Sequence, residues 1–207
     1  MTLDQELDEI IDSLPKIADQ RRYWLVRTQG GTLYDTFREN NFVAIEHDDI
    51  SLSKLAEIRD VTKDDPILTQ RLIREEIQKQ QTQLYEVGKI PIDNRPGLTA
   101  SQIYRFVFEI KKGDIVIIPS TNSDLVSFGE IKESYIPNVS ADDPRRLGPS
   151  YFLRKRVNWK SDIPRIDLDP FLFRLFLAHQ AVNEVSHYAG VIERSLNNFF
   201  ILDEYAH

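Results

Sequence analysis

The sequence has 207 residues, of which 41% are hydrophobic and 29% are charged, and its formal net charge is −7. This balance is typical of one globular domain with a modest addition, and it excludes a disordered chain, a coiled-coil rod and a collagen-like repeat. The chain contains no cysteine, which excludes disulfides, thiolate metal sites and cysteine nucleophiles. No apolar run approaches the roughly 20 residues that a membrane helix requires. We therefore expect no membrane partner and a cytoplasmic protein.

Charge is distributed unevenly along the chain. Five acidic residues and no basic residue fall within the first fourteen positions, whereas residues 144–161 contain six basic residues and no acidic one. Such a basic segment in an acidic protein is typical of a local anion-binding face. The alternative is an exposed basic strand whose charges are paired with acidic neighbours. The six basic residues are Arg145, Arg146, Arg154, Lys155, Arg156 and Lys160.

The first half of the chain predicts short strands between helices. Aromatic and β-branched runs indicate strands, and apolar residues at helical spacing indicate helices. Glycine, proline and small polar residues mark the turns and helix ends. The predicted elements are a helix over residues 3–14, a strand over 23–27, a Gly-Gly turn at 30–31, a helix over 33–40, a strand over 42–45, helices within 51–85, and a further helix capped by Thr99.

The second half has the stronger strand signals. Uninterrupted apolar runs of four or five residues predict buried strands, and Asp-Pro at 169–170 predicts the start of a helix. The final apolar run stops abruptly, so we expect the chain to be part of a longer protein. The predicted elements are strands over 115–118, 125–131 and 151–159, a helix from 169, a helix over 182–196 and a strand over 199–202.

One ordered set of segments carries a family resemblance. Its members are YWLVR at 23–27, Gly-Gly at 30–31, Phe37, VAI at 43–45, Arg105-Phe106, GDIVIIP at 113–119, FGEI at 128–131, Tyr135 and RVNW at 156–159. In this order they resemble the PUA-like superfamily, particularly the EVE and YTH type modules found as N-terminal specificity domains of modification-dependent restriction and anti-phage proteins. The resemblance spans residues 21–165.

The resemblance implies an α+β fold in which a curved sheet or small barrel is flanked by helices. The expected organisation has helical additions at both ends of this PUA-like domain. Its parts are an N-terminal helix over 1–20, the PUA-like domain over 21–165 with a helical insertion at about 51–85, a helical annex over 166–198, and the start of a further strand or linker over 199–207.

The same resemblance implies a nucleic-acid-binding module that recognises a modified or flipped-out base in DNA. Its expected partners are modified DNA and an effector domain or subunit, either a nuclease or an NTPase, of a restriction or phage-defence system. Such a site requires aromatic faces, because stacking returns about 1–3 kcal/mol per base against the few kcal/mol that extrusion costs. It also requires a polar group for the base edge and cations for phosphate. We expect no cofactor and no metal.

Candidate residues for each part of such a site follow from their positions. Small polar residues after the 115–118 strand suit base-edge contacts, and Arg27 beside the Gly-Gly turn suits a phosphate. Alternate residues of a strand face opposite sides, so only one of Tyr23 and Trp24 is expected at the pocket. The predicted base pocket comprises Tyr23, Trp24, His47, Ser120, Thr121 and Asn122. The predicted phosphate contacts are Arg27, Arg145, Arg146, Arg154, Lys155, Arg156 and Lys160.

The sequence departs from the resembled pattern at one place. Related modules often carry Gly-Trp after the second strand, whereas this chain carries Glu46 and His47. The change removes an indole from the expected base cage.

Two alternatives to a DNA-binding module stay open. Asp114, Glu130 and Lys132 fit the pattern of a magnesium-dependent nuclease, in which carboxylates hold the ion and a lysine orients water. A sensor of a small nucleotide, or a protein-interaction module, is the second alternative. The common signatures of serine hydrolases, P-loop enzymes, zinc peptidases and dinucleotide-binding enzymes are missing from the sequence. We therefore favour a binding domain over an enzyme.

Overall fold

The computed structural model describes residues 3–14, 16–18, 20–47, 50–86, 95–133, 153–197 and 201–203. The α-helices α1 to α6 are Leu3–Ser13, Tyr34–Glu39, Leu52–Thr62, Pro66–Glu86, Pro96–Tyr104 and Ala189–Asn197. The strands β1 to β8 are Lys16–Ala18, Tyr23–Val26, Phe42–Ile45, Ile115–Pro119, Leu125–Glu133, Leu153–Pro164, Val182–Glu184 and Ile201–Asp203. A π-helical turn, Arg105–Glu109, continues α5. The 3₁₀ segments are Thr121–Ser123, Arg165–Asp167, Pro170–Leu177 and Ser186–Tyr188.

Local side-chain chemistry sets the ends of the two helices within residues 51–85, α3 and α4. The Ser51 hydroxyl accepts a hydrogen bond from the backbone N–H of Lys54 and caps α3. Lys63 ends α3 in the left-handed conformation, with φ at 51°. The Asp65 carboxylate then accepts the N–H groups of residues 67 and 68, each at 2.9 Å, and α4 begins at Pro66. These capping and proline signals confirm the predicted helices within 51–85.

The central feature is a six-stranded mixed sheet that curls strongly into a half-barrel, with the strand order β3-β6-β5-β4-β2-β7. β2 and β4 run parallel, and the other neighbouring strands run antiparallel. Register shifts interrupt the β5–β6 pairing at Phe128/Gly129 and at Ile131/Glu133. Bulges of this kind increase strand twist, which favours the curl. The curved sheet flanked by helices confirms the predicted α+β class.

Both faces of the sheet are covered, and this decides where its aromatic residues lie. On one face, Trp24 and Val26 of β2 pack with residues of α2 to α5. On the opposite face, Tyr23 and Leu25 pack with the 3₁₀ segment Pro170–Leu177 and with α6. Alternation along β2 therefore directs successive side chains into two different cores rather than into a core and solvent.

Gly129 of β5 allows the close packing of the Trp159 side chain of β6 against the β5 backbone. A Cβ atom at this position would lie 2.6 Å from Cε3 of Trp159 and 2.3 Å from Cγ1 of Val157. No side chain larger than hydrogen fits there without displacing the β6 residues. The FGEI motif at 128–131 therefore has a packing role.

The C-terminal third contains a strand where the sequence predicts a helix. Residues 182–184 form β7, which pairs antiparallel with β2 through Leu25 and Asn183, and the final helix is confined to Ala189–Asn197. The prediction of one helix over 182–196 is therefore wrong for its first half. Pairing with β2 is a long-range interaction that the local apolar spacing does not reveal.

Smaller differences concern the start of α5, the first helix and one strand that the sequence does not predict. α5 begins at Pro96, so Thr99 lies inside the helix rather than at its cap. The first helix is confirmed, and two of its apolar residues, Ile10 and Ile11, are about half exposed. Strand β1, which the sequence does not predict, pairs in parallel with β8.

Candidate functional site

The parallel strands β2 and β4 end at the same edge of the sheet, and a pocket of about 330 Å³ opens there. Because β2 and β4 are parallel neighbours, the loops that follow them lie side by side at this edge. One wall comes from the loop after β2 and another from the loop after β4. We call this cavity the Gly-turn pocket. Its described lining residues are Arg27, Thr28, Gly30, Gly31, Pro119, Ser120, Asn122, Ser123, Arg165, Phe173, Phe176 and Leu177.

The two loops are held together at close range. The Thr28 hydroxyl donates a 2.6 Å hydrogen bond to the Pro119 carbonyl. Gly31 has φ at +101°, and a Cβ atom there would lie 2.2 Å from the backbone nitrogen of Thr121. Only glycine accommodates both this conformation and this contact. The Gly-Gly turn therefore fixes the distance between the two walls.

The third wall comes from the 3₁₀ segments that follow β6. The Arg165 guanidinium lies over the ring of Phe173 at 4.7 Å and near the ring of Phe176 at 5.7 Å. Arg27 Nη1 donates to the Phe176 carbonyl at 3.1 Å, which ties this wall to the loop after β2. The sequence analysis misses Arg165, Phe173 and Phe176 as site residues. Only the tertiary approach of the segment to the Gly-Gly turn brings them into the pocket.

The pocket combines positive charge with flat surfaces. Among its described lining residues, the charged ones are Arg27 and Arg165, and both are partly exposed. Asp124 lines an adjoining cavity that shares Arg165 and Phe173 with the pocket. A negative charge therefore lies on the Arg165 side of the pocket. A guanidinium stacked on a phenyl ring offers both a planar surface and donors for an anion.

Three of the residues predicted from sequence lie in this pocket: Arg27, Ser120 and Asn122. The Ser120 hydroxyl accepts the N–H of Leu125 at 2.9 Å, so it also shapes the turn. Asn122 has φ at 55°, and its side-chain amide makes no hydrogen bond to the other described residues. Thr121 packs close to Gly31, so that a Cβ atom on Gly31 would overlap it, but Thr121 is not among the described lining residues of the pocket.

Tyr23 and Trp24 lie in the protein interior. Trp24 is fully buried, and its indole N–H donates to the Asp114 carboxylate at 2.9 Å. Tyr23 donates from its hydroxyl to Glu193, and burial together with this carboxylate raises the pKa of Tyr23. Both rings have internal partners and neither lines the Gly-turn pocket. We therefore leave both out of the candidate site, contrary to the expectation that one of them faces a base.

His47 lies two residues after the end of β3. It follows Glu46, whose carboxylate accepts a hydrogen bond from the Gln29 amide. His47 is partly buried and does not belong to the described lining of the pocket.

The basic strand β6 does not form a continuous exposed ridge. The Arg154 and Lys155 side chains are buried, and burial lowers the pKa of Lys155 to about 7, against the opposing effect of the Asp114 charge. Arg156 pairs with Glu133 at 3.4 Å. Lys160 pairs with Glu130 at 3.1 Å. Arg145 and Arg146, also predicted as phosphate contacts, lie outside the described residues, as does Tyr135.

The residues considered for a nuclease have other partners. Asp114 is buried and accepts three N–H groups, from Trp24 and from the backbone of Arg22 and Lys111. Glu130 accepts from Lys132 at 2.7 Å. Burial raises the pKa of Glu130, but its bonds to Lys132 and Lys160 outweigh this and lower the pKa overall. The described parts of the chain contain no group of three histidine or acidic side chains placed to hold a metal ion.

Comparison with known protein families gives a match that covers most of the chain. The family model described as Domain of unknown function (DUF8426) matches residues 23–186, so the chain belongs to this family. The matched region begins with β2 and includes every strand of the central sheet. No curated protein and no solved structure matches the chain. Within the described residues, no helix has the length and apolar character needed to cross a membrane.

Proposed function

We propose that the protein is a nucleic-acid-binding module that accepts one nucleotide, extruded from DNA and carrying a modified base, in the Gly-turn pocket. The observation that carries the proposal is the joining of two guanidinium groups, two phenyl rings and the Gly-Gly turn at the carboxyl ends of β2 and β4. A flat, anionic ligand matches this combination, and a nucleotide is such a ligand.

The parts of the pocket suit the parts of a nucleotide. Arg27 and Arg165 provide donors for phosphate. The Phe173 and Phe176 walls, with the Arg165 plane, provide stacking surfaces for a base, and stacking is worth about 1–3 kcal/mol. The Asn122 amide, which bonds to none of the other described residues, suits the polar edge of a base. A methyl group on that base adds about 0.8 kcal/mol when it is buried.

The proposed role in a defence system rests only on the resemblance of the sequence to PUA-like modules. This resemblance supports a targeting role in a restriction or phage-defence protein, in which an attached nuclease or NTPase acts after binding. The Gly-turn pocket would then select the site, and the partner domain would perform the chemistry.

A free nucleotide is the second candidate ligand, and one observation favours it. The described basic residues of β6 are either buried or paired with glutamates. They leave little exposed positive charge to follow a DNA backbone, and backbone contacts supply most of the affinity for a polymer.

Fluorescence anisotropy with labelled duplexes tests the proposal. The duplexes carry methylated or hydroxymethylated cytosine, methylated adenine, or no modification, and binding is measured at low and at physiological salt. We expect tighter binding to one modified duplex and weaker binding as salt rises. The free monophosphates of the same nucleosides serve as competitors.

Matched arginine variants locate the binding site. Arg27→Gln and Arg165→Gln are expected to weaken binding at least about fivefold and to reduce the salt dependence by about one phosphate contact each. Arg174→Gln is the control, because Arg174 is exposed on the 3₁₀ segment Pro170–Leu177, which carries Phe173 and Phe176, but it does not line the pocket. Equal affinities of all three variants, or an absence of binding to every duplex and monophosphate at low salt, would refute the proposal.

A further inference from the structure

A second cavity, of about 400 Å³, adjoins the Gly-turn pocket on the side of the segment that follows β6. We call it the Asp124 cavity. Arg165 and Phe173 line both cavities, so these two side chains form a wall that is common to both. Its lining residues fall within the continuously described ranges 95–133 and 153–197. They are Asp124, Pro164, Arg165, Ile166 and Phe173.

Two backbone hydrogen bonds fix the position of Asp124 beside this common wall. The N–H of Asp124 donates to the carbonyl of Thr121 at 3.2 Å, which closes the 3₁₀ turn after β4. The carbonyl of Asp124 accepts the N–H of Arg165 at 2.9 Å, which joins this turn to the segment after β6. The exposed side chain of Asp124 therefore starts from a fixed point at the cavity.

The Asp124 carboxylate is available to a ligand. It forms no hydrogen bond and no ion pair with the other described residues, although Arg165 lines the same cavity. The Arg165 guanidinium lies instead over the rings of Phe173 and Phe176, at 4.7 Å and 5.7 Å. An ionised carboxylate accepts hydrogen bonds and donates none. The cavity therefore offers a fixed acceptor beside the apolar side chains of its other walls.

We propose that the Asp124 cavity contacts the base pair next to the extruded nucleotide, and that Asp124 selects cytosine there. Arg165 belongs to the wall between the two cavities, where the phosphate that links two successive nucleotides would lie, and a guanidinium is a strong donor to phosphate. The inference rests on the proposed function, because it requires an extruded nucleotide in the Gly-turn pocket.

The hydrogen-bonding groups of the four bases explain the choice of cytosine. In the major groove, cytosine presents the N4 amino group as a donor, which a carboxylate accepts. Thymine presents the O4 acceptor, and guanine presents the N7 and O6 acceptors, all of which repel a carboxylate. Adenine places its N7 acceptor beside its N6 donor. Cytosine is therefore the base that offers a donor without an adjoining acceptor.

Anisotropy titrations with matched duplexes test the inference. Every duplex carries the modified base that binds most tightly, and cytosine or thymine, with its complement opposite, is placed directly on the 5′ or the 3′ side of that base. On one of the two sides we expect the cytosine duplex to bind at least about fivefold more tightly than the thymine duplex, because a hydrogen bond to a charged acceptor discriminates by a factor of this order. Guanine at the same position should bind no better than thymine.

Asp124→Asn separates base selection from overall affinity. The asparagine amide both donates and accepts, so this variant should bind the cytosine and thymine duplexes within about twofold of each other. It also removes a negative charge, so both affinities should rise. Asp167→Asn is the matched control, because Asp167 is exposed on the 3₁₀ segment that carries Arg165 and lines neither cavity. The control removes the same charge and should keep the preference for cytosine.

The failure of this inference differs from the failure of the proposed function. If modified duplexes bind but neither flanking position distinguishes cytosine from thymine, the inference fails and the nucleotide proposal stands. A preference for cytosine that Asp124→Asn retains would also overturn the inference, provided that circular dichroism shows the variant to be folded. If no duplex binds at low salt, the proposed function fails and the inference fails with it.

Discussion

The buried carboxylate of Asp114 is predicted to be one of the main supports of the sheet. It is 4% exposed and accepts N–H groups from Arg22 at 3.1 Å, Trp24 at 2.9 Å and Lys111 at 2.9 Å. These bonds join three parts of the fold to Asp114: Arg22 directly before β2, the indole of Trp24 within β2, and Lys111 in the turn before β4. They therefore hold the amino ends of the two parallel strands whose carboxyl ends form the Gly-turn pocket.

Two substitutions at Asp114 should destabilise the protein to different degrees. In Asp114→Asn, the amide oxygen accepts two of the donors, but its NH₂ group opposes the third. We expect a loss of about 2–3 kcal/mol in the free energy of unfolding. In Asp114→Ala, all three donors lose their partner in a buried position, and we expect about 3–5 kcal/mol. For a chain of this size, these losses lower the melting temperature by about 4–20 °C.

Urea denaturation followed by circular dichroism measures these losses. Asp60→Asn is the control, because the Asp60 side chain is 73% exposed and bonds only to Arg59 among the described residues; we expect a change below about 0.5 kcal/mol. A value for Asp114→Asn within about 0.5 kcal/mol of the wild type would refute the structural role. Stabilisation of the wild type by magnesium that is absent in Asp114→Asn would instead favour the metal-dependent nuclease.

Three further substitutions test other parts of the account. Gly129→Ala places a methyl group against Trp159 and should lower the free energy of unfolding by about 1–3 kcal/mol in urea denaturation; an unchanged stability would contradict the packing. Lys155→Met removes a lysine whose pKa is lowered to about 7 in the folded protein. Because the unfolded chain binds more protons above pH 7, the wild type should gain stability relative to this variant from about pH 7 to pH 10, by at most about 1.4 kcal/mol per pH unit. A pH-independent difference between the two proteins would refute the lowered pKa. Gly31→Ala, which drives a methyl group into Thr121, should reduce nucleotide binding more than Gly30→Ala, where a Cβ meets nothing within 4 Å; equal losses in anisotropy titrations would show that loop spacing is unimportant.

Elements with strong local signals could be predicted from the sequence. The apolar run of β4, Ile115–Pro119, is short, β-branched and preceded by a glycine turn, which favours a strand. The α3 cap at Ser51 is a short-range hydrogen bond. β7 could not be predicted in this way. Its three residues form a strand because β2 offers a free edge, and that edge exists only in the folded protein.

The candidate site was predictable only in part, for a related reason. Arg27, Ser120 and Asn122 follow strands directly, so the sequence indicates that they lie at a sheet edge. Which aromatic residues accompany them depends on whether one or both faces of the sheet are covered. Coverage of both faces buries Tyr23 and Trp24, and the rings at the pocket come instead from the 3₁₀ segment Pro170–Leu177.

Photochemical crosslinking measures the position of the bound base directly. A duplex that binds tightly is prepared with iodouracil at the position of the extruded base, irradiated with the protein and digested, and the crosslinked peptide is sequenced by mass spectrometry. The account predicts a crosslink to Phe173 or Phe176 that Arg165→Gln weakens and Arg174→Gln does not. A crosslink confined to the basic strand β6, with none in the segment 165–177, would contradict it.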